Sequence, residues 1–191
     1  MAIDRRPLRG RPPSNKLLGY PRVLLHAVPA LFVLGNHKGK MSSEARLLET
    51  CKIPAVRLYE LPLIRDPRGS LSFAQYDETL PFLPRRYFIV FDVGEGQTRG
   101  GHAHRTVHQL LICVKGSCQV SLDDGRIRDQ ISLDRPELAL YIPPKIWATQ
   151  QRFSRDGVLM VLASEAYDPD EYIRDYNELL VNDDGPLATD H

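Results

Sequence analysis

The stretch that decides the fold is Gly94-Glu-Gly-Gln-Thr-Arg-Gly-Gly-His-Ala-His-Arg-Thr-Val-His-Gln-Leu-Leu-Ile-Cys-Val-Lys-Gly116. Residues i and i+2 of a β-strand point to the same face. If this segment is a strand, His102 and His104 therefore enter one cavity side by side. The preceding glycines are turn formers. The pair Lys115-Gly116 suits a tight hairpin turn, which predicts that strands over residues 107–114 and 117–122 form a hairpin.

The spacing within this stretch resembles the first motif of the cupins. Gly96 is followed by five residues, His102, one residue, His104, four residues, Gln109, six residues and Gly116. The cupin pattern is G-x5-H-x-H-x4-E-x6-G, and the one departure is Gln109, which stands where a metal-binding cupin has Glu. The complete spacing is a specific signal, whereas an isolated His-x-His would be a weak one.

Short strands dominate the pattern from residue 54 onward. Turns by composition follow the first strand at residues 66–69 and separate two strands at residues 123–125. Many short strands with such turns are typical of a sandwich or barrel. We therefore predict an all-β, cupin-type jelly-roll barrel over residues 51–182, with a short C-terminal helix within residues 168–180 and a disordered tail at 183–191. Strands are predicted over 56–63, 70–76, 86–92, 107–114, 117–122, 126–133, 138–142 and 158–163.

Composition restricts the class of protein. The 191 residues are enough for one domain with a real core. The net charge is +1, with 25 basic against 24 acidic residues, so nothing global indicates a nucleic-acid partner. The odd, sparse set of Cys51, Cys113 and Cys118 indicates reduced thiols in a cytoplasmic protein.

The first fifty residues read as an irregular or disordered extension. Residues 1–16 are rich in Arg and Pro and lack periodicity. The apolar run at 23–35 follows a positive segment, as in a signal peptide, but His26 and Pro29 interrupt it and no clear cleavage site follows. It is also too short for a membrane span. A further interpretation is that Met41 is the physiological start.

The second cupin motif, G-x5-P-x-G-x2-H, is only partly present. If Pro143 takes the position of its proline, Lys145 stands at the glycine and Ala148 at the metal-binding histidine. Together with Gln109, two of four ligands are replaced, and a lysine facing the cavity would further disfavour a cation. We therefore expect no metal, although two histidines with Gln109, assisted by His108, could still hold one loosely.

Two imidazoles in a metal-free cavity are suited to proton transfer, because their pKa lies near neutrality. They could also be vestiges of a lost metal site in a non-catalytic module. Gln109 would orient a histidine or contact substrate. Arg99 is a candidate for an anionic group or a solvated loop residue, and Trp147 would stack on a ring or close one barrel end. His108 is expected to be a hydrogen-bonded structural histidine.

Four blocks together resemble the sugar 3,4-ketoisomerases of the WxcM-like branch of the cupins. The likeness covers about residues 54–180, and its blocks are residues 99–112, 116–125, 140–147 and 161–176. It implies an isomerase without metal or organic cofactor that moves the carbonyl of a dTDP-4-keto-6-deoxyhexose from C4 to C3 through an enediol. It also implies a homodimer and a place in deoxysugar biosynthesis, such as that of a lipopolysaccharide O-antigen. We expect neither a nucleic-acid nor a membrane partner.

The same resemblance carries roles onto individual residues. It implies that His102 and His104 are catalytic, without saying which is the base, and that Arg99 contacts the nucleotide diphosphate. The family commonly has a histidine where this chain has Ala148, so a contact is missing there. It also tends to have tyrosines in the preceding strand, for which Tyr87 is the candidate here.

Two other functions remain open on the sequence. A dTDP-sugar 3,5-epimerase typically pairs a histidine with an acidic residue and a tyrosine, and no such set surrounds His102. A non-catalytic cupin module would bind a sugar nucleotide without proton exchange. The sequence leaves open the gluco or galacto configuration of the product and the natural nucleotide.

Overall fold

The structure is a computed structural model that describes residues 45–48, 51–76 and 80–181. These residues all lie in one compact unit, Lys40–His191. The predictions for residues 1–40, for a start at Met41 and for the tail at 183–191 fall outside the described residues.

The regular secondary structure of the described chain is almost entirely β-strand, which confirms the all-β prediction. Its elements in order are β1 (Arg46–Leu48), β2 (Arg57–Glu60), β3 (Leu63–Asp66), β4 (Gly69–Ser72), β5 (Arg86–Val90), β6 (Arg99–His104), β7 (Gln109–Lys115), β8 (Cys118–Asp123), β9 (Arg128–Leu133), β10 (Leu138–Ile142), β11 (Trp147–Gln151), β12 (Val158–Ala163), a 3₁₀ turn (Pro169–Glu171), β13 (Tyr172–Ile173) and α1 (Tyr176–Val181).

Two antiparallel sheets face each other, as expected for a cupin-type jelly roll. One has the strand order β1-β2-β10-β7-β12-β5 and the other β13-β6-β11-β8-β9, while β3 and β4 form a separate hairpin. The main core lies between the two sheets and includes Leu111, Val120 and Leu140. Within the described residues no helix is long and apolar enough to cross a membrane.

Alternation along β7 assigns the two faces of the six-stranded sheet. Leu111 and Cys113 point into the main core, whereas Leu110 and Ile112 belong to a second apolar cluster on the outer face. Both sets are buried because Ala74, Leu80 and Phe82 pack over part of the outer face. A strand buried on both faces reads as a continuous apolar run, which is how residues 110–114 read.

The predicted hairpin of residues 107–114 with 117–122 is wrong. β7 pairs with β10 and β12, whereas β8 pairs with β9 and β11 in the other sheet. Gly116, at φ +65°, carries the chain from one sheet to the other, and a Cβ there would lie 2.7 Å from Asp156 Oδ1. A tight turn marks a change of direction and does not itself specify which strands pair. The turn predicted at residues 123–125 is the β8–β9 connection, and these two strands do pair.

The C-terminal segment is only partly the predicted helix. Residues 168–175 form the 3₁₀ turn and β13, and the helix begins at Tyr176. We call residues 168–181 the C-terminal strap. β13 pairs with β6, and the apolar side of the strap covers Ala103 and Trp147 on the outer face of the five-stranded sheet. Pairing with a distant strand overrides the local preference for helix.

Polar contacts also hold the strap in place. Tyr176 Oη donates to Asp123 Oδ2 over 2.8 Å, and that buried carboxylate also accepts from Arg128 Nε and the Gly125 amide. Glu171 accepts from the amide and hydroxyl of Thr106, next to β6. The strap is therefore attached to the five-stranded sheet at two places, at the end of β8 and just after β6.

The prediction missed β1, β3, β11 and β13; of β3 it included only the first residue, as the end of a single strand over residues 56–63. Residues 46–48 were assigned to the extension at 1–50, but they form β1, which pairs with β2; the domain therefore starts earlier than residue 51. β11 lies between β6 and β8 and contains a bulge at Ala148 and Thr149. It is largely polar, so it lacks the apolar alternation that identifies a strand. β13 has only two residues.

Candidate active site

The two motif histidines lie side by side in the barrel. β6 carries both on its inner face, where their ring centroids are 5.0 Å apart and the rings are nearly perpendicular at 89°. His104 is 5% exposed, and His102 is partly buried. The two-residue spacing on one strand produces this arrangement, as the sequence predicted.

The backbone immediately before the pair orients His102. Gly100, at φ +76°, approaches β11 so closely that a Cβ would lie 2.7 Å from the Ala148 carbonyl oxygen. The Gly100 carbonyl accepts a hydrogen bond from the His102 ring. One ring nitrogen is thereby the donor, and in the neutral imidazole the other is a lone-pair acceptor. Burial lowers the pKa of His102. The hydrogen bond to Gly100 raises this pKa, but the Arg174 guanidinium lowers it further.

Gln109 determines which ring nitrogen of His104 carries the proton. Its amide nitrogen is 3.1 Å from His104 Nε2, and an amide NH₂ only donates, so Nε2 is the acceptor and the proton of the neutral ring lies on Nδ1. Nδ1 is sealed from solvent and has no hydrogen-bond partner among the described residues. The site therefore contains one histidine ready to accept a proton and one ready to donate.

His104 stays neutral well below physiological pH. Burial lowers the pKa of His104 to about 4, and the charges of His102 and Arg86 contribute in the same direction. Glu171 acts against this shift and Arg174 adds to it. This direction agrees with the expectation that desolvation keeps the histidines able to exchange protons.

This titration predicts a pH dependence of stability. An unfolded histidine has a pKa of about 6.5, so between that pH and about 4 the unfolded chain binds a proton that folded His104 does not. The free energy of unfolding should therefore fall as pH falls through this window. Thermal unfolding of the wild type should lose Tm between pH 7 and pH 4.5 more steeply than His104→Gln. Equal slopes would contradict the assignment.

The C-terminal strap supplies one wall of the site. Tyr172 of β13 lies opposite His104, and its ring centroid is 4.8 Å from that of His102 and 4.6 Å from that of His104. Arg174 places its guanidinium carbon 4.5 Å from the Tyr172 centroid. Ile173 between them points into the apolar cluster beneath the strap. Tyr172 thus packs against both imidazoles at once.

Arg86 lies on the inner face of β5. Its register partner is Ala163 of β12, and Ala163 is in turn the partner of Gln109 on β7. The guanidinium carbon lies 5.5 Å from the ring centroids of both Phe88 and Tyr167. A cation therefore stands in the same cross-strand row as the amide that fixes His104.

The structure separates the predicted site residues into two groups. It brings Gln109 to the histidines, as described above. Arg99 is exposed at the start of β6. Tyr87 is 68% exposed and pairs with Leu162 on the outer face of the six-stranded sheet. Trp147 packs against Tyr176 under the strap, with centroids 5.4 Å apart. Neither aromatic ring therefore faces the histidine pair within this chain.

Two further motif positions have distinct surroundings. Ala148 is the register partner of His102 and is buried in the main core, so its small side chain leaves room beside that ring. His108 lies toward the outer face, where its Nδ1 is 2.7 Å from the Tyr141 hydroxyl and its ring stacks on Tyr141. That is the structural, hydrogen-bonded role expected for His108.

No group of three His, Cys, Asp or Glu side chains suited to a metal comes together in the described part of the chain. Lys145 is exposed, and its amide donates to the His104 carbonyl over 2.7 Å. The position next to His104 that a metal-binding cupin fills with a carboxylate holds the neutral amide of Gln109. This donor set is poor for a divalent cation.

Sequence reasoning missed Arg86, Tyr172 and Arg174. Arg86 could have been found from the alternation of residues 86–92, once the inner face of that strand was known. The aromatic character of residues 167–176 was visible, but assigning it to a helix concealed the alternation of Tyr172, Ile173 and Arg174.

Comparison with known proteins identifies the family to which the chain belongs. The family described as FdtA, WxcM-like, C-terminal matches residues 54–183. A TDP-4-oxo-6-deoxy-alpha-D-glucose-3,4-oxoisomerase of Aneurinibacillus thermoaerophilus is 45% identical over 114 residues, which cover 60% of this chain and 82% of the relative.

Solved structures of 3,4-ketoisomerases are similar to this chain as well. A TDP-quinovose 3,4-ketoisomerase from Campylobacter jejuni is 40% identical, with a TM-score of 0.66 over 68% of this chain and 100% of that one. A variant 3,4-ketoisomerase from Thermoanaerobacterium thermosaccharolyticum, in complex with TDP-4-keto-6-deoxyglucose, is 33% identical, with a TM-score of 0.67 over 69% and 96%.

The fold and the paired histidines thus define a cupin-type jelly-roll protein with two imidazoles side by side on the inner face of β6. More specifically, the chain belongs to the WxcM-like FdtA family, which confirms the resemblance inferred from the motif blocks.

Proposed function

We propose that this protein is a sugar-nucleotide 3,4-ketoisomerase that converts a dTDP-4-keto-6-deoxyhexose into the 3-keto isomer. The observation that carries the proposal is the pair of neutral, oppositely arranged histidines on β6. The relatives named for 3,4-ketoisomerase or oxoisomerase activity support it. No organic cofactor or metal is needed, because the net reaction only relocates two protons and one carbonyl.

The first step is removal of the proton from C3 of the sugar. His102 is the base, since the Gly100 carbonyl occupies its ring N–H and leaves the second nitrogen as an acceptor. The C3–H electrons form a C3–C4 double bond, and the C4 carbonyl electrons move to its oxygen. His104 Nδ1–H, which has no partner among the described residues, donates to that oxygen as charge develops.

The second step completes the isomerisation. The O3 proton is lost, the C3 carbonyl forms, and C4 takes a proton from protonated His102. His104 passes the proton between the two oxygens, which lie on adjacent carbons within reach of a single ring. Tyr172 packs against both imidazoles and so restricts their rotation during the two transfers.

The exposed cations at the rim are suited to the nucleotide. Arg99 precedes the histidines on β6, and Arg174 follows Tyr172 on the strap. Guanidinium groups bind phosphate oxygens through paired N–H donors. We propose that Arg99 binds the diphosphate and that Arg174 lies at the rim beside it. Tyr87 and Trp147 are not assigned to the substrate of their own subunit.

The experiment that tests the function is proton NMR of the protein with dTDP-4-keto-6-deoxyglucose in deuterated water. We expect a 3-keto sugar with deuterium at C4, whose coupling constants also give the gluco or galacto configuration. Exchange at C3 and C5 with inversion would identify a 3,5-epimerase instead. Binding without exchange would identify a non-catalytic sugar-nucleotide module.

We also propose that the protein is a homodimer assembled through the outer face of the six-stranded sheet. Apolar side chains of β1, β7 and β5, and of the residue after β5, remain exposed there: Leu47, Val114, Tyr87, Ile89 and Phe91, at 41–68%. They continue the buried apolar cluster of the same face. β5 also forms the edge of that sheet in the described chain, and such edges need cover. A second copy related by a two-fold axis would bury both features.

Charging this face should break the dimer. We expect Ile89→Asp to be monomeric by analytical ultracentrifugation, because a carboxylate would be buried without a partner. Ile127→Asp is the matched control, since Ile127 is also exposed but lies in the β8–β9 turn of the opposite sheet. A dimer that survives Ile89→Asp would place the interface elsewhere.

The cellular setting follows from the proposed reaction. We propose a cytoplasmic protein of deoxysugar biosynthesis, such as that feeding a lipopolysaccharide O-antigen. Cys113 and Cys118 are thiols that form no disulfide with each other, which supports a reducing compartment.

A further inference from the structure

We propose that Arg86 is a further catalytic residue, whose guanidinium binds the negatively charged oxygen of the enediolate intermediate. This inference rests on the proposed ketoisomerase function. Three features of the structure support it: the position of Arg86 in the barrel, the state of its side chain, and the position of the other cations.

The position of Arg86 follows from strand register. Arg86, Ala163 and Gln109 form one row across β5, β12 and β7 on the inner face of the sheet. Adjacent strands are about 4.8 Å apart, so the backbones of Arg86 and Gln109 are separated by roughly 10 Å, within the reach of an arginine side chain. Ala163 between them is small and fully buried, so it leaves space above the row.

The state of the side chain indicates a missing anion. Arg86 Nε is sealed from solvent and has no hydrogen-bond partner within the described residues. The neighbours that position the guanidinium are the rings of Phe88 and Tyr167, which stack on it without accepting its N–H groups in the plane. A partly buried cation held by rings alone retains in-plane donors for a ligand. It also favours the binding of a negative charge.

The reaction creates such a charge beside this residue. When His102 removes the C3 proton, the electron pair becomes a carbon–carbon π bond and the former carbonyl electrons become an oxyanion on C4. His104, which donates to the same oxygen, is fixed by Gln109 of the Arg86 row. The charged groups around the histidines are Arg86 from β5, Arg174 just after β13 and Glu171 from the 3₁₀ turn. Of the two arginines, Arg174 is exposed at the rim and Arg86 is partly buried.

An alternative ligand for Arg86 is the diphosphate of the nucleotide. The two are distinguished by kinetics, because a diphosphate contact forms already in the substrate complex and an enediolate contact only during reaction. Loss of the first weakens binding, and loss of the second lowers kcat.

The test compares Arg86→Gln with the wild type in three measurements: kcat for isomerisation, the rate of C3 deuterium exchange, and TDP affinity by calorimetry. We expect kcat and exchange to fall about 10²–10³-fold, as for loss of one oxyanion donor, with TDP affinity unchanged. Arg86→Lys keeps the charge but not the planar donors and should retain an intermediate rate. It also replaces Arg86→Gln as the test variant if Arg86→Gln does not fold.

Arg85→Gln is the matched control. Arg85 is adjacent in sequence but is exposed and pairs with Glu165 at 3.3 Å, so its loss should leave kcat unchanged. Weaker TDP binding at unchanged kcat in Arg86→Gln would assign Arg86 to the diphosphate and overturn the inference. Wild-type rates in both Arg86 variants would overturn it while leaving the ketoisomerase function intact. A wild type that converts no substrate would overturn both.

Discussion

His102→Asn is expected to lower kcat for 3,4-ketoisomerisation by about 10²–10⁴-fold, the usual contribution of a general base. An asparagine amide can keep the hydrogen bond to the Gly100 carbonyl that the imidazole makes, but it cannot accept a proton from carbon. Deuterium exchange at C3 should be lost in parallel, because the enediolate no longer forms. Affinity for TDP, measured by calorimetry, should not change.

The control for His102→Asn is the same substitution at His108. That histidine bonds to Tyr141 toward the outer face of the sheet, so removing its imidazole should leave kcat unchanged. If His102→Asn kept a rate within about tenfold of the wild type, well short of a general base's contribution, His102 would not be the base. The two histidines would then exchange roles if His104→Asn abolished C3 exchange.

Gln109→Glu is expected to inactivate the enzyme by reversing the hydrogen bond to His104. A carboxylate 3.1 Å from Nε2 would accept a proton from it, which moves the neutral tautomer from Nδ1–H to Nε2–H. The negative charge would also raise the pKa of His104, by about 1–3 units for a charge at such a distance. Long-range ¹H–¹⁵N NMR of the histidines measures both changes. We expect kcat to fall at least about 10²-fold, the lower limit for loss of acid–base catalysis.

The same substitution should also create affinity for a metal. Two histidines and a carboxylate form the facial set that binds divalent iron and related ions, so calorimetry with Zn²⁺ or Fe²⁺ should detect tighter binding than in the wild type. Gln109→Met is the control, since it removes the donated hydrogen bond without adding charge. A Gln109→Glu protein with an unshifted His104 tautomer would contradict the arrangement described here.

Local rules were sufficient to predict the centre of the site. The two-residue spacing of His102 and His104 fixes their common face because side chains alternate along any strand. Gln109 was found because it occupies the position of the glutamate in the motif, which places it on the strand after the two histidines. These inferences depend on sequence intervals of a few residues and do not require knowledge of which strands pair.

The remainder of the site depends on pairing between distant segments. Alternation shows that Arg86 and Tyr87 point to opposite faces of β5, but it does not show which face is inside. The sequence argument selected Tyr87, and the register with β12 places Arg86 inside instead. Tyr172 reaches the histidines only because β13 pairs with β6. No pattern within residues 168–180 specifies that contact.

The C-terminal strap has a consequence for how the protein is made. It follows every barrel strand in the chain, so a ribosome adding about 5–20 residues per second completes the twelve preceding strands first. Until Ile173 and Leu179 emerge, the nascent barrel exposes the apolar surface around Ala103 and Trp147. A chaperone that recognises apolar surface would therefore bind chains stalled before the strap and release completed ones.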